Sequence, residues 1–287
     1  MAGRQIVDLS ADNIKNSGLI QGSKIRLRGN GVDIEGGTVS AETLLTVEAD
    51  RLRIASATEN SGSGTDGRTE TSRIAGLYIT NTSDGLLSLK AGQSIDFTAA
   101  GLHNKAANGQ TQIVSGGRIN LDTAKLSSYS RQGGWDDKNR RRLTQTSEAG
   151  TQIKASGDIL IAAKDNLDIR QGSIVSDNGR TTLSGRNVHI TEGRQTLDLE
   201  QSVYGKSRGI ASKQTSLDQY RRQHDEAVGS RIEGKEVVVR AGQDVNVRGS
   251  HVVSDGLTLL RAGHDVNITA AENAYSDHEF HERKRAG

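Results

Sequence analysis

Residues 236–247 read EVVVRAGQDVNV, and residues 257–268 read LTLLRAGHDVNI. They superimpose without a gap at a spacing of 21 residues: Val239 falls on Leu260, Arg240-Ala241-Gly242 on Arg261-Ala262-Gly263, and Val245 and Val247 on Val266 and Ile268. Apolar and polar residues alternate on both sides of a glycine-centred break. Alternation at period two marks a strand with one buried face. The Gly, Asn and Asp of the break mark a turn that needs unusual backbone angles.

The same template appears elsewhere. Residues 86–97, LLSLKAGQSIDF, and residues 158–169, DILIAAKDNLDI, both fit it. Near the N-terminus, Ile25, Leu27, Val32 and Ile34 are followed 20 residues later by Leu45, Val47, Leu52 and Ile54, and Ile119 and Leu121 form a weaker copy. A longer repeat lies above this one. Ile161, Leu167, Ile169, Ile174, Val175, Val188 and Ile190 recur 78 residues on as Val239, Val245, Val247, Val252, Val253, Val266 and Ile268. Two coils of about 20 residues and one long insertion account for that length. A short repeat made of strands without a helix belongs to the solenoid class, and the Leu/Asn consensus of leucine-rich repeats is missing. The expected fold is all-β: a right-handed parallel β-helix with coils of about 20 residues and extrahelical excursions.

Composition agrees with that geometry. The 287 residues include no Pro, where average usage would supply roughly fourteen. In a stack whose strands have neighbours above and below, a Pro deletes a ladder hydrogen bond almost anywhere. Only 33% of the chain is hydrophobic, and the aromatics are Trp135, five Tyr and two Phe, as a thin core of small and β-branched side chains requires. Without Cys there is no disulfide, thiolate metal site or thiol nucleophile. With 37 Lys+Arg against 35 Asp+Glu the formal net charge is +2, which argues against a dedicated nucleic-acid binder. No run of 18 apolar residues is present to span a membrane as a helix, and Met1–Arg4 does not begin a secretory signal.

Four excursions interrupt the coils, at 57–73, 126–150, 193–230 and 271–287, within what reads as a single repeat domain over 1–287. The first, ATENSGSGTDGRTETSR, reads as a mobile polar loop. The other three carry six of the eight aromatics, among them Tyr129, Trp135, Tyr204, Tyr220, Tyr275 and Phe280. One reading folds them as long hairpins packed on the rod's flank, with the rings covering it. A short helix within 214–228 is also compatible, through Leu217, Tyr220 and Val228. The other reading makes them a binding surface, because Arg and aromatic residues on protruding segments favour contacts with partners. Its candidate residues are Trp135, Arg140, Arg141, Arg142, Tyr220, Arg221 and Arg222, and its candidate ligands are a glycan, a heparin-like polyanion or a cell-surface receptor.

Chemistry has little support in the sequence. His278-Glu279-Phe280-His281 spaces its histidines by three rather than four, so the zinc-protease pattern is not met. The other histidines are dispersed, and neither a nucleophile elbow nor a phosphate-binding loop occurs. The repeated Asp244-Val245-Asn246 and Asp265-Val266-Asn267 read as a coil-to-coil hydrogen-bond ladder in preference to a calcium site. No catalytic residue, cofactor or metal is expected, and the chain reads as a non-enzyme. The rival is a carbohydrate-active β-helix enzyme, which would concentrate charged residues on one face over several coils.

The A-G-[QH]-D-V-N-[VI] units, the coil length and excursions such as Trp135-Asp136-Asp137-Lys138-Asn139-Arg140-Arg141-Arg142 resemble filamentous haemagglutinin. More closely, they resemble the haemagglutinin-repeat region of two-partner-secreted exoproteins of Gram-negative bacteria. That group includes adhesins, haemolysin-like proteins and contact-dependent growth-inhibition toxins. The resemblance covers essentially the whole chain, and it implies a fragment of a longer rod. It further implies export through an outer-membrane barrel transporter and a place outside the cell or on its surface. Contact with host glycans, receptors or neighbouring bacterial cells follows from the same resemblance. The group's Asn-Pro secretion motifs and its C-terminal toxin domain are missing from this sequence.

Overall fold

The computed structural model describes residues 5–133, 138–209 and 212–286. Among these every regular element is a strand, and the strands form two sheets of 21 and seven members. In the larger sheet all pairings are parallel and each strand stacks on its counterpart one coil away. It is a right-handed parallel β-helix.

The register follows the apolar alternation. Ile14, Val32, Leu52, Ile95, Ile119, Leu167, Val188, Val245 and Val266 form one column through the rod. Two residues on, Ile34, Ile54, Phe97, Leu121, Ile169, Ile190, Val247 and Ile268 form the next. At about 4.8 Å per step the stack is roughly 40 Å long. Apart from the outermost coils these side chains are almost completely buried. Phe97 is among them at 0% exposure, so the interior accepts one aromatic ring between Ile54 and Leu121.

Each coil has a third strand that the sequence pattern does not separate from its turns. Gln152–Ala155, Ser173–Ser176, Arg231–Gly234 and His251–Ser254 stack on one another, each buried mainly through one residue such as Ile153, Ile174 or Ile232. Alanine or serine occupies the second inward position, which leaves too little apolar signal to register as a strand. The corners between strands carry buried polar groups, all bonded. Asn104 donates to Gly85 O and Gln110 O at 3.2 and 3.1 Å and accepts from Ala106 N at 3.1 Å. Ser230 accepts from Gly172 N and donates to Thr191 O. The Asp/Asn repeat does make the coil-to-coil ladder: Asn267 donates to Asn246 Oδ1 at 3.0 Å, and the Asp265 amide donates to Asp244 Oδ1 at 3.1 Å.

The smaller sheet is antiparallel and consists of β1 (Ala57–Gly62), β2 (Asp66–Arg73), β3 (Ala124–Gly133), β4 (Arg140–Ala149), β5 (Gly193–Arg208), β6 (Lys213–Val228) and β7 (Ala274–Ala286). Neighbours in space are neighbours in sequence, from β1 at one edge to β7 at the other. Residues 57–73 are therefore a paired hairpin rather than a loose loop. The turn is made at Gly62, whose φ of 141° only glycine tolerates well. A hairpin wetted on both faces shows no apolar alternation, and its strand character comes from pairing with β3. Residues 213–228 are strand, not helix, because β5 and β7 flank them on both sides.

The hairpins pair with one another edge to edge and do not lie on the rod. Tyr129, Tyr275 and Phe280 stay exposed instead of covering it. The result is a one-layer fin. Its spacing matches the rod's. Coils 76–98 and 101–122 separate the first hairpin from the second; coils 152–170 and 173–191 separate the second from the third; coils 231–248 and 251–269 precede β7. Each hairpin adds two strands while two coils pass, so both sheets climb at the same rise per strand. The 78-residue repeat is this unit of two coils and one hairpin.

The root of the fin is pinned by buried carboxylates. Glu148 accepts two hydrogen bonds of 2.7 Å from Arg170 and one of 3.0 Å from Thr123. Its pKa is held below the ordinary carboxylate value, first by the Arg170 hydrogen bonds, against desolvation. Glu192 plays the same part for Arg248 at 3.0 Å. At Gly150 the chain passes so close to the rod that a Cβ would lie 1.8 Å from Gln171 O.

Candidate partner-binding face

Antiparallel pairing puts directly opposed residues on the same face, so the fin's register distributes the candidate residues. Arg131, Arg142, Glu200, Arg221 and His278 form a single row across β3, β4, β5, β6 and β7. Arg140 lies on the same face, one row towards the tip, opposite Ser202 and Gln219. The other face carries Arg141, Gln201, Tyr220 and Glu279 in one row, and Leu143, Leu199, Arg222 and Asp277 in the next.

Residues that lie about 80 positions apart in the chain are thus brought together with only β5 between them. The same register splits the set: Arg140, Arg142 and Arg221 point one way, Arg141, Tyr220 and Arg222 the other. Trp135 lies outside the described residues. Arg131, Glu200 and His278 join the site without having been singled out from the sequence. Only the hairpin register could have found them, since nothing in their local sequence differs from other solvated positions.

The first face is cationic. Glu200 bonds Arg140 and lies 3.7 Å from Arg142. Arg131 and Arg221 are exposed and have no carboxylate within ion-pair range among the described residues. A cavity of about 140 Å³ opens beside Arg140, Glu200, Tyr220, Arg221 and His278. The second face is more self-contained. Arg222 donates to Asp277 at 3.1 Å and sits 5.2 Å from the Tyr220 ring centroid. His224 packs edge-on against Tyr275 and approaches Asp277 at 3.5 Å. His281 bonds Asp218 at 2.8 Å, and that bond raises its pKa above the usual imidazole value. No group of three or more His, Cys, Asp or Glu positioned to hold a metal ion occurs among the described residues. The arrangement offers positive charge and hydrogen-bond donors on a wide flat surface, and its exposed guanidinium groups suit anionic or hydroxylated partners.

The comparisons with known proteins agree with the architecture. Residues 211–287 match the family described as hemagglutinin repeat. The chain is 28% identical over 296 aligned residues to the deoxyribonuclease CdiA of Dickeya dadantii, a match that covers 99% of this chain and 9% of that protein. It is 26% identical over 220 residues to the tRNA nuclease CdiA of Escherichia coli strain STEC_O31, covering 75% of this chain and 6% of the relative. This is a filamentous haemagglutinin-like repeat region. The haemagglutinin-like repeats also match the 16S rRNA endonuclease CdiA of Enterobacter cloacae, at 29% identity over 140 residues, which is 49% of this chain and 4% of that protein. The chain therefore spans less than a tenth of the length of each of these relatives. No solved structure matches it.

Proposed function

We propose that these haemagglutinin-like repeats are a rigid structural and adhesive segment of a secreted or surface-exposed protein of a Gram-negative bacterium. The coils set reach, and the fin meets other surfaces. The observation that carries this reading is the uninterrupted parallel ladder, in which one apolar column runs from Ile14 to Val266 without a break in register. A rod held by columns of buried aliphatics resists bending, and the residues that meet solvent are display rather than core. Export through an outer-membrane barrel transporter fits a chain with no Cys to form disulfides before it is threaded.

The proposed contact residues are the row Arg131, Arg142 and Arg221 with Arg140 beside them. Tyr220, Arg222 and Arg141 are presented on the reverse face, and Trp135 belongs to the same candidate set. The test is attachment of beads coated with the 287-residue protein to host and bacterial cells. Alanine at Arg131, Arg142 and Arg221 together is expected to reduce attachment severalfold while the melting temperature stays unchanged. Equal attachment by the variant sinks the adhesive part of the reading.

A second reading is favoured by the names of the relatives, which are nucleases called CdiA. In it the repeats are the stalk of a contact-dependent growth-inhibition protein, and the nuclease lies elsewhere in the longer polypeptide. Neither reading assigns catalysis to this segment. Release of unsaturated sugars from acidic polysaccharides by the purified protein would overturn both.

A further inference from the structure

The largest cavity of the molecule belongs to the rod. It is an open trough of about 680 Å³ along one flank, away from the fin, and it crosses five successive coils. One wall is the outward column Asn13, Gly31, Arg51, Ser94 and Arg118. The other is Lys15, Asp33, Arg53 and Asp96. In the first wall a long guanidinium alternates with a short residue, so Gly31 and Ser94 leave notches beside Arg51 and Arg118. In the second wall cation and anion alternate.

The coil itself does not require this trough. Further along the rod the same flank is closed by short side chains bonded to each other: Asn187 donates to Asn166 at 3.1 Å, His189 meets Asp168 at 2.9 Å and Asn267 donates to Asn246. Ladders of that kind satisfy the polar groups and leave no hollow. Only the N-terminal coils use arginine and a notch instead.

The charges in the trough are compensated in place. Arg53 donates to Asp33 at 2.8 Å and to Glu35 at 3.3 Å; Arg118 donates to Asp96 at 3.3 Å; Arg51 donates to Gln93 at 2.9 Å; Ser94 donates to Asp96 at 3.0 Å. Pre-paired carboxylates repel a polyanion, and pre-paired guanidinium groups attract it only weakly. Both keep spare hydrogen-bonding capacity, carboxylate oxygens for hydroxyl donors and guanidinium N–H for hydroxyl and ring-oxygen acceptors. The coils advance by about 4.8 Å, close to the length of one extended pyranose unit. We infer that the trough holds one strand of a linear, uncharged polysaccharide laid along the rod with about one sugar per coil.

No aromatic residue lines the trough, so affinity accumulates from hydrogen bonds repeated coil by coil and depends on ligand length. The probes are cello-oligosaccharides of two to six units, titrated calorimetrically into the 287-residue protein, with malto-oligosaccharides as the curved isomers and oligogalacturonates as the charged ones. The dissociation constant is expected to fall with each added unit up to about five and then level off. Half-molar salt should change it little. Malto-oligosaccharides and oligogalacturonates should bind more weakly. Arg118→Gln and Asp96→Asn are each expected to weaken the longest ligand about tenfold, a loss of about 1.4 kcal/mol, and Ser94→Trp, which fills a notch, should abolish binding. Arg118 has a side chain 62% exposed, so its replacement leaves the fold intact, as unchanged circular dichroism would verify. The variants of the fin arginines should bind these sugars normally, which separates this proposal from the adhesive reading. Absence of binding at every length, a preference for oligogalacturonate, or full binding by Ser94→Trp overturns it.

Discussion

The rod and the fin are built from the same chain by opposite means. In the rod, strands are parallel, and residues such as Leu27, Val47, Leu89, Ile113, Ile161, Leu183 and Val239 stack at 0% exposure. In the fin, strands are antiparallel, and β1, β2, β4, β6 and β7 contain no fully buried residue. The rod is held by removal of apolar surface from water. The fin is held by backbone pairing, cross-strand hydroxyl contacts such as Thr69 with Asn60 and Ser127, and ion pairs that solvent screens. An isolated sheet of that kind is marginal. The comparison teaches that the fin borrows its order from the rod, which presents each hairpin at the spacing its neighbour needs.

The most severe way to break that relation is to spoil the spacing. In-frame removal of residues 236–256 deletes one coil of the repeat. The rod should remain folded, since residue 257 onward restacks in the same pattern. β7, however, now emerges about 4.8 Å too low, and hydrogen exchange should report loss of amide protection across β7 and the facing edge of β6. Retained protection there would mean the fin orders itself.

A single-residue contrast is smaller. Phe97→Ala opens a void in the rod's interior and should cost about 3–5 kcal/mol in a denaturant titration. Tyr129→Ala, in the fin, removes a half-exposed ring and its bond to Ser63 O and should cost about 1 kcal/mol or less. Comparable losses would contradict the division of labour. Thr111 sharpens the same point from the other side. It stands in the core column between Leu87 and Ile159 at 1% exposure, with a hydroxyl that has no partner. Thr111→Val should stabilise the rod by about 1 kcal/mol, read from the same titration.

Acid and base act on the fin in opposite directions, and more gently. Glu148 has a lowered pKa in the folded state, so its contribution is complete above about pH 4.5, the ordinary carboxylate value, and is lost as pH falls through the folded value. Exchange at the roots of β4 and β5 should quicken there, and Glu148→Gln should remove the dependence. His281 has a raised pKa, so its bond to Asp218 contributes fully below about pH 6.5 and fades as pH climbs through the folded value. The smallest effect expected is faster exchange along β7 above neutrality, absent in Asp218→Asn.

Legibility followed the same line between rod and fin. Val239, Val245 and Val247 announced their column because burial on one face leaves an alternating trace, and Leu260, Val266 and Ile268 repeated it one coil later. Ile153 and Ile174 belonged to a third strand whose other inward residue is alanine or serine, too faint a trace to read. Arg142 and Arg221 gave no hint of facing the same way, because a strand wet on both sides tolerates nearly any polar order. Their partnership depends on where each hairpin turns.

The amino-acid order alone therefore determined a stacked parallel coil, its period, its aliphatic interior and its intolerance of proline, since each of those follows from local alternation repeated at a constant interval. The tertiary structure decided that the excursions join into one sheet, which arginines share a face, and where the flank opens into a trough. Those features depend on distances between residues dozens of positions apart, and only the common rise of coil and hairpin brings such residues into register.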